Sequence, residues 1–595
     1  MAFRNYILVC GGTACESSKA NAIYEALVTE SKAQGVADEV QIVKTGCFGF
    51  CEQGPIVKIL PEDSFYVQVK PEDAKELIAE HVIKGREVKR LLYAKEGSRK
   101  HAKVEDIEFY QKQFRIVLRN CGFIDPENID EYIAREGYAS LEKVLFEMTA
   151  EDVINELKIA GLRGRGGAGF PTWMKWNFTR QADSKQKFIV VNADEGDPGA
   201  YMDRSTLEGD PHSVLEAMAI AGKTVGSNQG YIYIRAEYPL AIKRLEIAMA
   251  QAREYGLLGK NILDSGFDFD IEIRLGAGAF VCGEETALLA SIEGRRGMPV
   301  PRPPFPAVKG LWGKPTVINN VETWANIPMI ILKGGDWFSK IGTADSHGTK
   351  VFALTGKIRN SGLVEVPMGT TLREIIYDIG GGIANDKEFK AVQTGGPSGG
   401  VITKDFLDTP IDFGSLIKLG SMMGSGGMIV MDEDDCIVDV AKFYLNFTVD
   451  ESCGKCAPCR IGGRSLANLL EKITKGKGEL ADLDQMVEIG EAMKKASLCA
   501  LGQTAPNPIL STLHYFRDEY LAHVVDKKCP AGKCKSLISY NILADKCIGC
   551  TACARKCPVG AIAGERREVH VIDQAACIKC GVCFETCKFG AIEVR

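Results

Sequence analysis

The sequence predicts an α/β protein of several domains that ends in a small cysteine-rich one. Three observations carry that expectation. At 595 residues the chain exceeds what one hydrophobic core supports, and roughly four domains of about 100–200 residues is the prior. Short apolar strands alternate with stretches of helical period and Gly-rich turns through most of the length. The 21 cysteines cluster in combs. Apolar residues make up 45% and charged residues 25%, as in soluble globular proteins. A net charge of −6 offers no basic field for nucleic acid. No apolar run approaches the ~18–20 residues of a membrane span. The opening MAFRNYILVCGGTAC lacks a secretory pattern. Combs of cysteine in such a chain point to thiolates kept reduced in a cytoplasm.

The elements follow in order. Residues 1–92 read as a small α/β domain: ILVC (7–10), EVQIVKTGC and PIVKIL as strands, 17–34 as a helix, and 71–84 as a second helix opened by Pro and acids. The charged stretch 94–106 reads as a linker. Residues 107–335 form a larger α/β segment. Residues 340–425, with KVFALTG, GLVEVP and TTLREIIYDIG, read as a compact β-grasp-like insert, and 430–525 as helical. A linker over 526–543 leads to a terminal domain over 544–595.

That terminal domain holds CIGCTACARKCP and CIKCGVCFETCK, two C-x2-C-x2-C-x3-C combs that start 30 residues apart. In the two-cluster arrangement the fourth Cys of each comb ligates the other cluster. This gives Cys547, Cys550, Cys553 and Cys587 to one [4Fe–4S] cluster, and Cys577, Cys580, Cys583 and Cys557 to a second. A zinc ribbon wants two CxxC pairs with a spacer instead. ESCGKCAPCR supplies three ligands, Cys453, Cys456 and Cys459. The fourth is Cys499 if 462–498 is a helical hairpin, making a third [4Fe–4S] cluster. Cys10, Cys15, Cys47 and Cys51 form two pairs at strand ends with glycines beside them, which suits a [2Fe–2S] rhomb. Their spacing resembles that of thioredoxin-like [2Fe–2S] ferredoxin domains. His523, Cys529 and Cys534 suit a tetrahedral zinc ion, with Cys436, or failing it His514, as fourth ligand. Cys121 and Cys282 read as small core residues.

GLRGRGGAGFP (161–171) places five glycines within nine residues, a cradle of N–H groups for phosphate. It is not the G-x-G-x-x-G that follows a Rossmann strand. Three strand ends carry polar clusters: Asn192, Asp194, Glu195 and Asp197 in FIVVNADEGDPGAYMDR; Glu284 and Glu285 in RLGAGAFVCGEETALLASIEG; Asn319 and Asn320 in GLWGKPTVINNVET.

On these motifs, in this order, residues 107–525 resemble the NADH- and FMN-binding subunit of respiratory complex I, with its Rossmann-like flavin core and SLBB insert. The resemblance implies FMN along Gly164, Arg165, Gly166, Gly167, Lys175, Asn192, Asp194, Gly283, Glu284, Asn319 and Asn320. It implies NAD(H) near Phe170, Phe178, Glu195, Asp197, Phe280, Glu285 and Arg302, with no catalytic side chain beyond the flavin. Two positions depart from the family pattern. Asp197 stands where relatives carry Glu, which leaves room for NADPH, and Phe280 stands where they carry Tyr. The fusion of a [2Fe–2S] domain before the flavin core and a two-cluster ferredoxin after it is similar to the flavin subunit of multimeric [FeFe]-hydrogenases. The resemblance implies electron bifurcation among NADH, ferredoxin and hydrogen in a hetero-oligomer with an H-cluster subunit and a small [2Fe–2S] subunit. Diaphorase subunits of NAD-dependent formate dehydrogenases, and NADP-reducing hydrogenase subunits, are the alternatives.

Overall fold

The computed structural model describes residues 3–94, 100–101 and 103–594. The linker expected over 94–106 lies partly outside them. The chain divides into two compact units, Met1–Val430 and Met431–Arg595.

The first unit opens with β1 (Asn5–Cys10), α1 (Ala20–Ala33), β2 (Val40–Thr45), β3 (Val57–Leu60) and β4 (Ser64–Tyr66). They make a four-stranded sheet in the order β2-β1-β3-β4. β1 and β2 are parallel, with Cys10 opposite Thr45, so both cysteine pairs emerge at one end of the sheet.

Next come α2 (Ala150–Ala160), α3 (Thr172–Gln181), β5 (Phe188–Ala193), α4 (Met202–Gly209), α5 (Pro211–Val225), β6 (Gln229–Arg235), β7 (Asp270–Gly276), α6 (Glu285–Ile292), β8 (Thr316–Asn320) and α7 (Val321–Lys333). The sheet order is β8-β5-β6-β7, parallel throughout. Strands such as FIVV are apolar on both faces because helices cover both sides; Ile189, Val190 and Val191 have no exposure. α2 shows how the helices are set: Thr149 and Asp152 form a capping box, and Gly161 ends it in the left-handed region at φ 62°.

The insert forms a five-stranded sheet from β9 (Thr349–Gly356), β10 (Gly362–Pro367), β11 (Phe389–Thr394), β12 (Val401–Thr403) and β13 (Gly427–Asp432), in the order β10-β9-β13-β11-β12. Its central strand β13 lies beyond the expected boundary at 425. GMIVMD is a short apolar run whose strand character appears only once β9 pairs with it, Ala353 opposite Gly427. One buried core joins this insert to the first domain, including Leu8 and Phe50 with Phe352 and Leu354.

The second unit is built on α8 (Ile437–Asp450), α9 (Gly463–Thr474), α10 (Leu480–Ala496), α11 (Asn507–Tyr515) and α12 (Arg517–Val524). α9 and α10 form the expected hairpin. In the terminal domain, Tyr540–Ile542 pairs with Ile592–Val594, and Ile562–Ala563 with Val571–Ile572. Leu537, Ile538 and Tyr540 are buried in one core with the helices and with Cys553 and Ile592, so the stretch read as a linker is packed.

Candidate functional site: a nucleotide cradle and four cysteine sets

The parallel sheet places its polar residues where open α/β sheets bind ligands, at the carboxyl ends of strands and at the point where strand order reverses. From β5 the chain steps one way to β6 and β7, and β8 returns on the other side. Asn192 and Asn320 end the two strands flanking that point and are partners in register. The Gly-rich loop crosses this opening and closes on itself through Gly164 N–H donating to Phe170 O at 2.8 Å. A Cβ on Gly166 would stand 3.1 Å from Asn320 Cβ, and one on Gly167 3.2 Å from Gly424. A side chain at either position would crowd that approach, and Gly167 (φ 114°) also needs its backbone freedom. The loop leads into the N-terminus of α3, where the helix dipole favours an anion.

Around the opening, Asn192 Nδ2 donates to Gly283 O at 2.8 Å. Lys175 Nζ donates to Ile318 O at 3.2 Å and to Glu285 at 3.3 Å. Arg302 also donates to Glu285. Glu284 caps α6, accepting from Thr286 N and Ala287 N at 2.9 and 3.0 Å. Phe170 and Phe178 are 42% and 45% exposed, open aromatic faces beside the loop. Phe280 and Gly283 bound one turn between β7 and α6, and Cys282 is buried in that turn.

Several expected residues face other work. The Arg165 backbone N–H donates to Thr323 Oγ1 at 2.8 Å, and its buried guanidinium donates to the carbonyls of Thr349, Arg163 and His347 at 3.0, 2.9 and 2.7 Å rather than into the cradle. Burial lowers the guanidinium to about 10. Asn319 lies on the inner face, its amide oriented to accept from Trp176 Nε1 at 3.0 Å. Asn320 donates to the Asp203 carboxylate. Glu195 accepts from Asp203 N at 3.0 Å and Arg204 N at 3.2 Å, and burial raises it to about 7. Asp197 accepts from Ser425 Oγ at 2.5 Å; burial raises it to about 6, opposed by that hydroxyl. The insert thus reaches the acidic loop, and a Cβ on Gly396 would stand 3.0 Å from the Asp197 carboxyl. Sequence reasoning missed this layer; the glycine runs QTGGPSGG and GSGG were its only trace.

The cysteines gather as spacing requires. Cys10, Cys15 and Cys47 are buried and Cys51 is half-buried. Gly49 N–H donates to Cys47 Sγ at 3.3 Å. Cys453, Cys456 and Cys459 lie in the turn before α9, with Ser452 Oγ 3.3 Å from Cys459 Sγ. The helix after Cys499 comes alongside, for a Cβ on Gly502 would stand 2.9 Å from Cys459 Cβ. In the terminal domain one cavity is lined by Cys547, Cys550, Cys553 and Cys587, and a second by Cys557, Cys577, Cys580 and Cys583. These are the two crossed sets.

A different geometry unites Cys436, His523, Cys529 and Cys534. Their ligand atoms all lie within 4.8 Å of one another and all four residues are buried. Cys436 Sγ and Cys534 Sγ are 3.8 Å apart, and each is 3.4 Å from His523 Nε2. Zinc at about 2.3 Å from sulfur and about 2.0–2.1 Å from nitrogen would set tetrahedral edges of about 3.8 and 3.5 Å. His523 Nδ1 faces Glu519 O at 2.7 Å, which fixes the proton there and leaves Nε2 to ligate. His514 instead packs on Tyr515.

Five family models match the chain: thioredoxin-like [2Fe–2S] ferredoxin over residues 3–81, Nuo51 FMN-binding domain over 157–329, SLBB domain over 351–402, NADH-ubiquinone oxidoreductase-F iron-sulfur binding region over 439–523, and 4Fe-4S dicluster domain over 546–591. An F-type NADH-quinone oxidoreductase subunit of Rhizobium meliloti is 45% identical over 70% of this chain and 99% of its own length. The chain belongs to the same family as the F-type NADH-quinone oxidoreductase subunits. NADP-reducing hydrogenase subunit HndC of Solidesulfovibrio fructosivorans is 63% identical over 77% of this chain and 94% of its own length. A crystal structure of an NAD+-reducing [NiFe]-hydrogenase is 29% identical, with a TM-score of 0.61, covering 88% of this chain and 85% of that one. This chain is thus a nicotinamide-dependent flavin and iron–sulfur oxidoreductase subunit. Among the described residues no helix is long and apolar enough to cross a membrane.

Proposed function

We propose that this chain is the NAD(H)-oxidising flavin subunit of a cytoplasmic electron-bifurcating hydrogenase, exchanging electrons with both ferredoxin and a hydrogen-activating partner subunit. FMN, when bound, would supply the chemistry that converts a hydride from NADH into single electrons for iron–sulfur clusters. The chain's own residues bind and orient. The N–H groups of Gly166 and Gly167, in the loop ahead of α3, receive the phosphate, and Lys175 balances its charge. Asn192 and Asn320 flank the ring site at the strand reversal. Asp197 and Glu285 accept ribose hydroxyls of the nicotinamide nucleotide, and Phe170 and Phe178 offer faces for its adenine. Arg302 steers the nucleotide phosphates while holding Glu285 in place. Asp197, held by Ser425, disfavours a 2′-phosphate by like charge.

One [2Fe–2S] and three [4Fe–4S] clusters occupy the cysteine sets, and one zinc is held by Cys436, His523, Cys529 and Cys534. The observation that carries the reading is the strand reversal at Asn192 and Asn320 with the Gly-rich loop laid across it. The terminal two-cluster domain, absent from a complex I flavin subunit, favours ferredoxin as one electron partner.

The test is anaerobic purification of the native complex and a hydrogen-evolution assay. We expect an H-cluster subunit and a small [2Fe–2S] subunit to accompany the chain, and hydrogen production that needs NADH and reduced ferredoxin together. A molybdenum or tungsten subunit in their place would assign the chain to a formate dehydrogenase. Evolution from NADPH alone would make it an NADP-linked hydrogenase without bifurcation.

A further inference from the structure

Asn320 stands at the strand reversal, and its carboxamide is held at both ends. Its Oδ1 accepts from Glu322 N at 2.9 Å, capping α7. Its Nδ2 donates to the Asp203 carboxylate. A backbone N–H can only donate and a carboxylate oxygen accepts, so the two partners together allow one orientation of the amide, oxygen toward α7 and nitrogen toward Asp203. A Cβ on Gly166 would stand 3.1 Å from Asn320 Cβ, so the Gly-rich loop lies against the stem of the same side chain. An amide nitrogen carries two protons. Asp203 takes one. The second has no hydrogen-bond partner among the described residues, and Asn320 is half-buried at the edge of the opening.

Asp203 is itself fixed. It lies in the first turn of α4 and is 5% exposed. Glu195 grips that turn, accepting from Asp203 N at 3.0 Å and Arg204 N at 3.2 Å, and Tyr238 Oη donates to Glu195 O at 2.9 Å. Burial pushes the Asp203 carboxyl well up, as do the neighbouring Glu195 and Glu322 carboxylates, and Lys350 opposes them. Either form of the carboxyl keeps an acceptor oxygen for the Asn320 amide. The other end of the amide is as firmly set, because Glu322 is 1% exposed and accepts from Val351 N at 2.9 Å. No part of Asp203 needs to reach the opening for it to act there.

We propose that Asp203 is a positioning residue for the flavin: it holds the Asn320 amide so that the second N–H is presented to the isoalloxazine ring as a fixed donor. The proposal rests on the reading that FMN binds across Asn192 and Asn320. The ring's carbonyl oxygens and unprotonated nitrogens are acceptors, so a donor already set in place binds them without first being ordered. Without Asp203 the amide keeps only its bond to Glu322 N, and the donor is ordered anew at each binding event.

The experiment is a double-mutant cycle on the full chain, with FMN affinity read from the flavin fluorescence that appears on release. Asp203→Leu, close to aspartate in shape, should weaken FMN binding about fivefold. Asp203→Asn keeps an acceptor oxygen at the same place and should recover most of that loss. In the Asn320→Ala background Asp203→Leu should change the affinity by less than about twofold, since the group it positions is gone. If Asp203→Leu does not fold, Asp203→Ser replaces it, its hydroxyl being one bond too short to reach the amide. Equal weakening in both backgrounds, no recovery in Asp203→Asn, or full affinity in Asp203→Leu while Asn320→Ala loses it, overturns the proposal. An Asn320→Ala chain that binds FMN as tightly as the parent overturns the placement of the flavin instead.

Discussion

Lys350→Met should destabilise the first unit and loosen its nucleotide site. Lys350 and Glu322 are 0% and 1% exposed and paired. Glu322 also accepts from Val351 N at 2.9 Å, and Lys350 donates to Ser425 O at 2.6 Å and Val351 O at 2.9 Å. The pair links β8, through Asn320 and the start of α7, to β9 and to the Ser425 that holds Asp197. Methionine keeps the aliphatic stem but leaves Glu322 buried without its counter-charge, at a cost of roughly 3–5 kcal/mol. With an unfolding entropy near 2.1 cal/mol/K per residue, a unit spanning Met1–Val430 then melts roughly 3–6 °C lower. Adding Glu322→Leu removes the stranded charge and newly leaves the Val351 N–H without its acceptor, about 1–3 kcal/mol, while the Ser425 and Val351 carbonyls lack the lysine donor in both variants. The double variant should therefore melt between the single variant and the parent. Scanning calorimetry of the holo chains, with retained flavin measured by absorbance, tests this. A single variant melting within about 1 °C of the parent, or a double variant melting below the single one, would refute the reasoning.

Asp197→Asn should raise kcat/KM for NADPH relative to NADH by at least about fivefold, the worth of about 1 kcal/mol between unit charges at 4 Å in water. Because the Asp197 carboxyl is raised to about 6, it is charged above that pH and neutral below it. Discrimination in the parent should thus weaken as pH falls through 6, with this carboxyl's contribution missing in Asp197→Asn; kinetics with both nucleotides from pH 5 to 8 measure it. Elemental analysis of a fully loaded chain should give about 14 iron atoms and one zinc, and Cys529→Ser should lose the zinc while keeping the iron. Deleting the chain from residue 540 should remove about eight irons and abolish ferredoxin-coupled turnover, while NADH still reduces an artificial dye. Ferredoxin coupling at the parent rate after that deletion would assign the terminal domain to another partner.

What could be read from the sequence is what chemistry confines to short segments. Cluster ligands must sit within a few residues of one another, so the combs announced themselves, and the crossed sets follow from two combs packed face to face. The Gly-rich loop was legible because a phosphate cradle needs consecutive N–H groups. The resemblance supplied positions but not directions: Arg165 and Asn319 stand where the family pattern puts them, yet their side chains turn inward to Thr349 and Trp176. Contacts between distant segments left no local trace. Ser425 meets Asp197 and Lys350 meets Glu322 only after the insert packs against the parallel sheet and its helices, and no periodicity encodes such pairs. β13 was hidden for the same reason, since GMIVMD is as apolar as the helix that follows it and becomes a strand through its pairing with β9.

The central claim is that one chain takes electrons from a nicotinamide nucleotide and divides them among its own clusters. The most direct measurement is anaerobic titration of the purified, iron-loaded, FMN-replete chain with NADH, followed by absorbance and low-temperature EPR. We expect the flavin absorbance to bleach as NADH is added and EPR signals of reduced clusters to grow with it, in the absence of any other subunit. Flavin that stays oxidised under excess NADH, or bleached flavin with every cluster still oxidised, would contradict the account.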